Sequence, residues 1–180
     1  MSIFTQRFIR KSVCTITLVL ATVLPTAAKN SDKEISFKGY LQGTVRGVPQ
    51  GQPPSAISLE GNDTGLSGEL GPFKITYRFT ITIPPGSGPA DPSTSAGTAE
   101  WVMANGDTIY TKFVGIGEAT DTYPIARVVE YYQATGGTGQ FVNAQGQFTV
   151  KRLASADPAS AANLVSGSVE GVILFSRPGH

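Results

Sequence analysis

Apolar and polar residues alternate along most of the chain, and the clearest example is the segment GPFKITYRFTITIPP, residues 71 to 85. A spacing of two places side chains on one face of a β-strand, whereas the same positions on a helix would point in several directions. The segment is therefore predicted to be a long strand with one buried face. Its apolar positions are Phe73, Ile75, Tyr77, Phe79, Ile81 and Ile83.

Seven further segments carry the same pattern less regularly, and no window has a helical period. The best hairpin signal is Asn105-Gly106, between AGTAEWVMA and DTIYTKFVG, where a type I′ turn is expected because both residues tolerate positive φ angles. The chain is thus predicted to be all-β, with about eight strands. The remaining predicted strands are ISFKGYLQGTVR, a short SAISLEG near Leu59, IARVVEYYQAT, QFVNAQGQFTVKR and LVSGSVEGVILFS.

A single eight-stranded antiparallel β-barrel is the favoured architecture for these strands. Closure of the sheet removes the exposed strand edges that would otherwise pair with other chains. A two-sheet β-sandwich is the alternative that this pattern leaves open.

The first 28 residues have the pattern of a secretory signal peptide. Arg7, Arg10 and Lys11 precede the apolar run VCTITLVLATVL, and small residues follow at a cleavage point after Ala28. The apolar run is too short to span a bilayer, which needs about 20 residues. We expect a secreted or periplasmic protein whose barrel domain comprises residues 29–180, with no membrane attachment after cleavage.

Charge and composition exclude several classes of chemistry. Removal of residues 1–28 leaves 11 basic and 13 acidic residues, a net charge of −2, so no basic surface for nucleic acid is expected. The remaining chain lacks cysteine, and its one histidine is His180. Catalytic triads, Cys-His dyads and histidine zinc sites need those side chains. Neither a metal nor a cofactor is expected.

The stretch TGGTGQF raises the question of a phosphate-binding loop. A Walker loop requires lysine and a hydroxyl residue after its last glycine, but Gln140 and Phe141 follow here, and the dinucleotide fingerprint fails for similar reasons. We interpret the stretch as a tight structural turn. Its defining residues are Gly136, Gly137, Thr138 and Gly139.

The segment TGGTGQFVNAQGQFTVKR resembles the G-G-[TS]-G-x-F-x-x-A-x-G region of the dirigent and allene oxide cyclase proteins. The resemblance covers mainly the C-terminal half, and NGDTI and SGSVEGVIL match more loosely. It implies an eight-stranded barrel, secretion for the dirigent branch, and a homo-oligomer that in this group is often a trimer. Dirigent proteins guide the coupling of phenoxy radicals, and the cyclases close a ring in an unsaturated fatty-acid epoxide. The matching residues are Gly136, Gly137, Thr138, Gly139, Phe141, Ala144 and Gly146.

Three charged residues are candidates for catalysis. Glu130 shares a strand face with Val128 and Tyr132, so an inward orientation would raise its pKa and suit it to acid or base chemistry. The favoured interpretation is that the carboxylate points outward, since charged groups are seldom buried unpaired. Arg127 and Lys112 could pair with an acid at the barrel mouth, although such residues are more often surface partners across strands.

Four aromatic residues are candidates for ligand binding. They could stack on a ring or lipid tail, but aromatic residues at alternating strand positions more often fill the core. The candidates are Trp101, Tyr110, Tyr131 and Tyr132.

Two functional classes fit these observations. The first is a secreted barrel that binds a small apolar or aromatic ligand, or that serves a structural or assembly role. The second is an isomerase, cyclase or dirigent-like guide that shapes a reactive lipid or phenolic substrate, because such catalysis relies on the contour of a pocket rather than on a nucleophile.

Overall fold

The computed structural model describes residues 32–47, 56–84, 86, 91–155, 157 and 160–176. The predicted signal peptide and His180 lie outside these ranges. The described chain forms eight β-strands: β1 (Asp32–Gly47), β2 (Ala56–Ser67), β3 (Gly71–Thr82), β4 (Ser93–Met103), β5 (Thr108–Ala119), β6 (Ile125–Gly137), β7 (Gln145–Ser155) and β8 (Asn163–Ser176).

Each strand pairs with its neighbours in sequence, and the sheet closes on itself between β8 and β1. The closing pair is antiparallel and runs from Asp32 opposite Ser176 to Val45 opposite Asn163. The predicted antiparallel barrel is therefore confirmed, and the sandwich alternative is wrong. Closure leaves no strand of the sheet with an unpaired edge.

Strand β2 is much longer than the short strand predicted near Leu59. Its second half, GNDTGLS, has the composition of a turn, yet it pairs with β3 as far as Ser67 opposite Gly71. A side chain at Gly61 would overlap the ring of Tyr77, and one at Gly65 would overlap the ring of Phe73. The glycines thus make room for large residues of the neighbouring strand, and this packing overrides the local preference.

Aromatic rings fill one half of the barrel interior. The ring of Tyr132 stacks on Phe113 at 4.6 Å and on Phe148 at 5.1 Å, and Trp101 meets Phe148 edge to face at 5.0 Å. Phe141 is buried beyond them. We call this half, where the β2–β3, β4–β5 and β6–β7 connections lie, the closed end, and the opposite half the open end.

The β4–β5 hairpin lies at the predicted position but has a different turn. Gly106 has a φ of 87°, whereas Asn105 has no positive φ. The N–H of Gly106 donates to the carbonyl of Met103 at 3.0 Å, and the N–H of Met103 donates to the carbonyl of Asp107 at 2.8 Å. One left-handed glycine after a type I turn is sufficient, so the expected type I′ turn is wrong.

The glycine turn packs directly against this hairpin. Thr138 exchanges two hydrogen bonds with Thr108, through its hydroxyl at 3.0 Å and its amide at 2.8 Å. The N–H of Gln140 bonds to the carboxylate of Asp107 at 3.2 Å. Gly136 and Gly139 have positive φ, and a side chain at Gly139 would overlap that carboxylate. The turn therefore joins two connections at the closed end.

A 3₁₀ turn, Gly139–Phe141, follows the glycines, so the predicted strand QFVNAQGQFTVKR begins only at Gln145. The amide of Phe141 bonds to the carbonyl of Thr138 at 2.9 Å, and its ring enters the core. In the ranges that the structure describes, no helix has the length and apolar character needed to cross a membrane.

Candidate functional site

A buried arginine on β7 organises a cluster of polar side chains inside the barrel. Nε of Arg152 donates to Oε2 of Glu130 at 2.8 Å, and Nη1 forms an ion pair with Oδ2 of Asp63. All three side chains are at most 3% exposed. A guanidinium presents five N–H donors in a rigid fork, which suits it to hold two carboxylates at once.

Two tyrosine hydroxyls complete the cluster. Tyr77 donates to Oδ1 of Asp63 at 3.1 Å and accepts from Nη1 of Arg152 at 3.3 Å. Tyr132 donates to Oε2 of Glu130 at 3.2 Å and accepts from Nη2 of Arg152 at 3.2 Å. The guanidinium also lies 4.8 Å from the centre of the Tyr77 ring, within range of a cation–π contact.

The electrostatics of the cluster follow from its burial and its charge. Burial raises the pKa of the Asp63 carboxyl, although Arg152 and the hydroxyl of Tyr77 act in the opposite direction. Burial also raises the pKa of Tyr77 and of Tyr132, so both hydroxyls keep their protons and remain donors. Two carboxylates share one guanidinium, which leaves the ionised cluster with an excess of negative charge.

A cavity of about 600 Å³ occupies the open end of the barrel, and the polar cluster forms its floor. Tyr77, Glu130 and Arg152 line it from below. The cavity therefore combines an apolar wall with a few convergent polar groups, the usual construction of a small-molecule site. The apolar wall includes Leu59, Phe79, Ile81, Val128, Ile125 and Val165.

The predicted catalytic residues separate into two groups. Glu130 points into the barrel, so the favoured outward reading is wrong: the charge of Arg152, which no pattern in the sequence linked to it, offsets the cost of burial. Arg127 and Lys112 lie exposed on the outer face of the barrel. They take no part in the cluster because each is one residue out of phase with the inward positions of its strand.

The predicted aromatic residues divide in the same way. Trp101 and Tyr132 are buried in the aromatic core, and Tyr132 also reaches the polar cluster. Tyr110 and Tyr131 are 39% and 56% exposed on the outer face, so they neither fill the core nor line the cavity at the open end.

Sequence reasoning missed Arg152, Asp63 and Tyr77 as parts of one site. A signal existed for two of them: Tyr77 shares the apolar face of β3, and Arg152 alternates in phase with Phe148 and Val150 on β7. Asp63 had no such signal because its neighbours resemble a turn. Among the described residues, no three side chains of the His, Cys, Asp and Glu types form a group that could hold a metal ion.

Comparison with solved structures identifies the fold. The barrel matches the pterocarpan synthase dirigent protein GePTS1 with a TM-score of 0.50 and 16% sequence identity, covering 83% of this chain and 88% of that one. The chain has the dirigent-like barrel fold. The pterocarpan synthase dirigent protein PsPTS1 also matches, with 15% identity, a TM-score of 0.44, and coverage of 82% and 97%.

Sequence comparisons identify no relative of this dirigent-like barrel. No family model matches the chain, and no curated protein matches it. The structural match concerns the fold alone, because the identity of 16% is too low to carry the roles of individual residues.

Proposed function

We propose that this dirigent-like barrel binds a small apolar or aromatic molecule in the cavity at its open end. The observation that carries the proposal is the coexistence of a cavity of about 600 Å³ with buried, hydrogen-bonded polar groups at its floor. A barrel with only a structural role gains nothing from an arginine and two carboxylates in its interior, because their desolvation is costly.

Binding of a neutral apolar fluorophore, N-phenylnaphthylamine, tests the proposal. Gly117 lies in the wall, where a new Cβ would be 3.0 Å from Oγ of Ser93 and 3.8 Å from Val128. We expect fluorescence enhancement with the wild type and its loss in Gly117→Leu, whose side chain would occupy the cavity. Ile116→Leu, on the exposed outer face of the same strand, is the matched control and should bind normally.

The natural ligand is best identified by mass spectrometry of the protein purified gently from its own host. A co-purifying molecule that is released on denaturation, and that is absent from Gly117→Leu, would define the chemical class. Absence of fluorophore binding in the folded wild type, together with absence of any retained molecule, would contradict the proposal.

A second candidate is an isomerase, cyclase or dirigent-like guide of a reactive lipid or phenolic substrate. The convergence of Glu130, Arg152 and Tyr77 at the cavity floor favours it, since an isomerisation needs only a group that accepts a proton at one position and returns it at another. The cavity wall would supply the orientation of the reacting atoms.

Product analysis separates guidance from simple binding. Phenoxy radicals generated from a phenol by a one-electron oxidant should couple to a racemic product without the protein and to an enantiomerically enriched product with it. Glu130→Gln should lower that enrichment while N-phenylnaphthylamine still binds. A racemic product at every protein concentration would leave ligand binding as the function of the cavity.

We also propose that the chain is exported, as its basic and apolar N-terminal pattern indicates. The mature protein should begin near Lys29, and N-terminal sequencing of material collected outside the cytoplasm tests this. Exported protein that retained residues 1–28 would contradict the assignment. Secretion would also agree with the resemblance to the dirigent branch.

The outer face of β5 and β6 supports self-association, which the resemblance suggests as a trimer. Val114 and Ile116 are 58% and 47% exposed, and Val114 lies directly opposite the exposed Tyr131. A contiguous apolar surface of this kind is a common feature of subunit contacts. Light scattering should give a mass above that of one chain for the wild type and the mass of one chain for Val114→Lys.

A further inference from the structure

A small polar niche lies in the cavity wall beside the buried cluster. Ser95 on β4 pairs with Gly115 on β5, which pairs in turn with Glu130 on β6, so the three residues form one row across the sheet. A Cβ at Gly115 would lie 2.7 Å from Oγ of Ser95 and 2.9 Å from Cγ of Glu130. Glycine at this position lets the two neighbouring side chains approach each other, so that a hydroxyl and a carboxylate lie close together at the cavity wall.

Two oxygen atoms of this niche lack partners within the described part of the chain. The buried Oγ of Ser95 has no hydrogen bond to any described residue. Both hydrogen bonds to Glu130, from Arg152 and Tyr132, end on Oε2, and no described residue donates to Oε1. Ser95 and Glu130 also line the cavity. Buried polar atoms normally have partners, so a vacant pair of acceptors beside a cavity is suited to a ligand that donates.

The charge around the cavity is predominantly negative. Asp91 and Glu118 line it together with Glu130, and the one basic residue among the described lining residues is Arg152, which already pairs with two carboxylates. The resulting field attracts cations and repels anions at the mouth.

We propose that the cavity is selective for apolar molecules with a cationic amine group, and that the ammonium binds from the cavity side to Oγ of Ser95 and Oε1 of Glu130, which flank Gly115. The inference rests on the proposed ligand-binding function and specifies its ligand class. An ammonium has three donors and no acceptor, which matches two vacant acceptors. A carboxylate would place a further negative charge against Glu130.

The cost of burying a charge is what makes this arrangement selective. An ammonium loses its hydration on entering an apolar cavity, and only a charged acceptor offsets that loss. Hydrogen bonds between charged partners are about twice as strong as neutral ones. An alcohol of the same shape could use the same acceptors, but it carries no charge of its own, so it would gain no ion-pair attraction to Glu130.

Three probes that share a phenylalkyl chain and differ in their polar group test the selectivity: phenylbutylamine, phenylbutanol and phenylbutyrate. Isothermal titration calorimetry of the wild type near neutral pH should give the lowest Kd for the amine, about tenfold below that of the alcohol. Phenylbutyrate should bind most weakly. The preference for the amine should decrease with added salt, because the acidic mouth contributes through long-range attraction.

Variants of the niche locate the interaction. Glu130→Gln should raise the Kd of the amine about tenfold and that of the alcohol by a smaller factor, so that the preference for the amine is lost. Ser95→Ala, which removes a hydroxyl without a partner among the described residues, should weaken both probes and preserve the melting temperature. Gly115→Ala would add a Cβ that overlaps the side chains of Ser95 and Glu130, so it should displace both acceptors and weaken both probes. Glu100→Gln and Ser168→Ala, both on the outer face, are the matched controls.

The outcomes distinguish this inference from the proposed function. Equal or tighter binding of the alcohol or of phenylbutyrate would overturn amine selectivity while leaving ligand binding intact. Amine selectivity would also be overturned, with ligand binding intact, if N-phenylnaphthylamine enters the cavity but none of the three probes binds. If neither the fluorophore nor any probe binds to folded protein, both proposals fail. An amine preference that persists in Glu130→Gln would overturn the placement of the ammonium.

Discussion

Nε of Arg152 lies 2.8 Å from Oε2 of Glu130 inside the barrel, and each side chain is 3% exposed. The other side of the guanidinium binds Asp63, which lies on a different strand and 89 residues away in the chain. The arginine therefore links β2, β6 and β7 across the interior. It separates the aromatic core from the cavity, so its loss should affect both stability and the site.

Replacement of Arg152 is expected to be strongly destabilising. Arg152→Met would leave Asp63 and Glu130 buried without a counter-charge, at a cost of about 3–5 kcal/mol in the free energy of unfolding. Lys151→Met, the adjacent exposed residue in a surface ion pair with Glu170, should cost under about 1 kcal/mol. Urea denaturation of both variants measures the difference.

A triple variant tests whether the buried charges cause the loss of stability in Arg152→Met. The triple variant Asp63→Asn, Glu130→Gln, Arg152→Met removes all three charges and should recover part of the stability lost in Arg152→Met, because no uncompensated charge remains buried. A free energy of unfolding for Arg152→Met equal to that of Lys151→Met would show that the cluster contributes little to folding.

The raised pKa of Asp63 predicts a dependence of stability on pH. Since the folded pKa exceeds the ordinary value of 3.8, the native state holds this proton at pH values where the unfolded chain has released it. The contribution of Asp63 to stability is thus fully present below pH 3.8 and is lost as the pH rises through the folded pKa.

Comparison with Asp63→Asn isolates this contribution. The free energy of unfolding of the wild type minus that of the variant should decrease from below pH 3.8 towards neutrality. Urea denaturation at several pH values measures the two curves. A difference that increases with pH would mean that Arg152 lowers the pKa of Asp63 more than burial raises it.

The glycine turn should be required for stability and not for binding. Valine at Gly139 would adopt an unfavourable positive φ of 56° and meet the Asp107 carboxylate, and valine at Gly137 would meet the carbonyl of Thr108. Each variant should lose about 1–3 kcal/mol. Gly68→Val is the control, because its Cβ has no neighbour within 4 Å. Thermal melts provide the comparison.

Binding in these turn variants supplies an independent check. The turn lies at the closed end, away from the cavity, so Gly137→Val and Gly139→Val should bind N-phenylnaphthylamine normally at temperatures where they remain folded. Unchanged melting temperatures combined with lost binding would identify the turn as a ligand loop.

The apolar face of β3 should not tolerate charge at its buried end. Ile75 is 1% exposed in the aromatic core, so Ile75→Asp should prevent folding or give insoluble protein. Thr82→Asp, on the exposed face of the same strand, should remain soluble with a change under about 0.5 kcal/mol. Circular dichroism and solubility of the two variants decide whether the face has been assigned correctly.

Local features of the sequence determined the strands, their faces and two turns. The alternation from Phe73 to Ile81 specifies which side of β3 is buried, because the side-chain period of a strand is fixed by its backbone geometry. Gly106 and Gly139 mark turns because only glycine adopts positive φ without strain. These properties depend on a few neighbouring residues, so they can be inferred without knowing the fold.

Tertiary structure alone decided the length of β2, the orientation of Glu130 and the membership of the polar cluster. Asp63 and Arg152 come into contact only when the barrel closes. The inward orientation of the Glu130 side chain is favourable only because the guanidinium of Arg152 lies beside it. A buried charge is stabilised by a partner at any distance along the chain, whereas strand periodicity is a property of adjacent residues. The fold was therefore predictable from the sequence, but the site required the register of all eight strands.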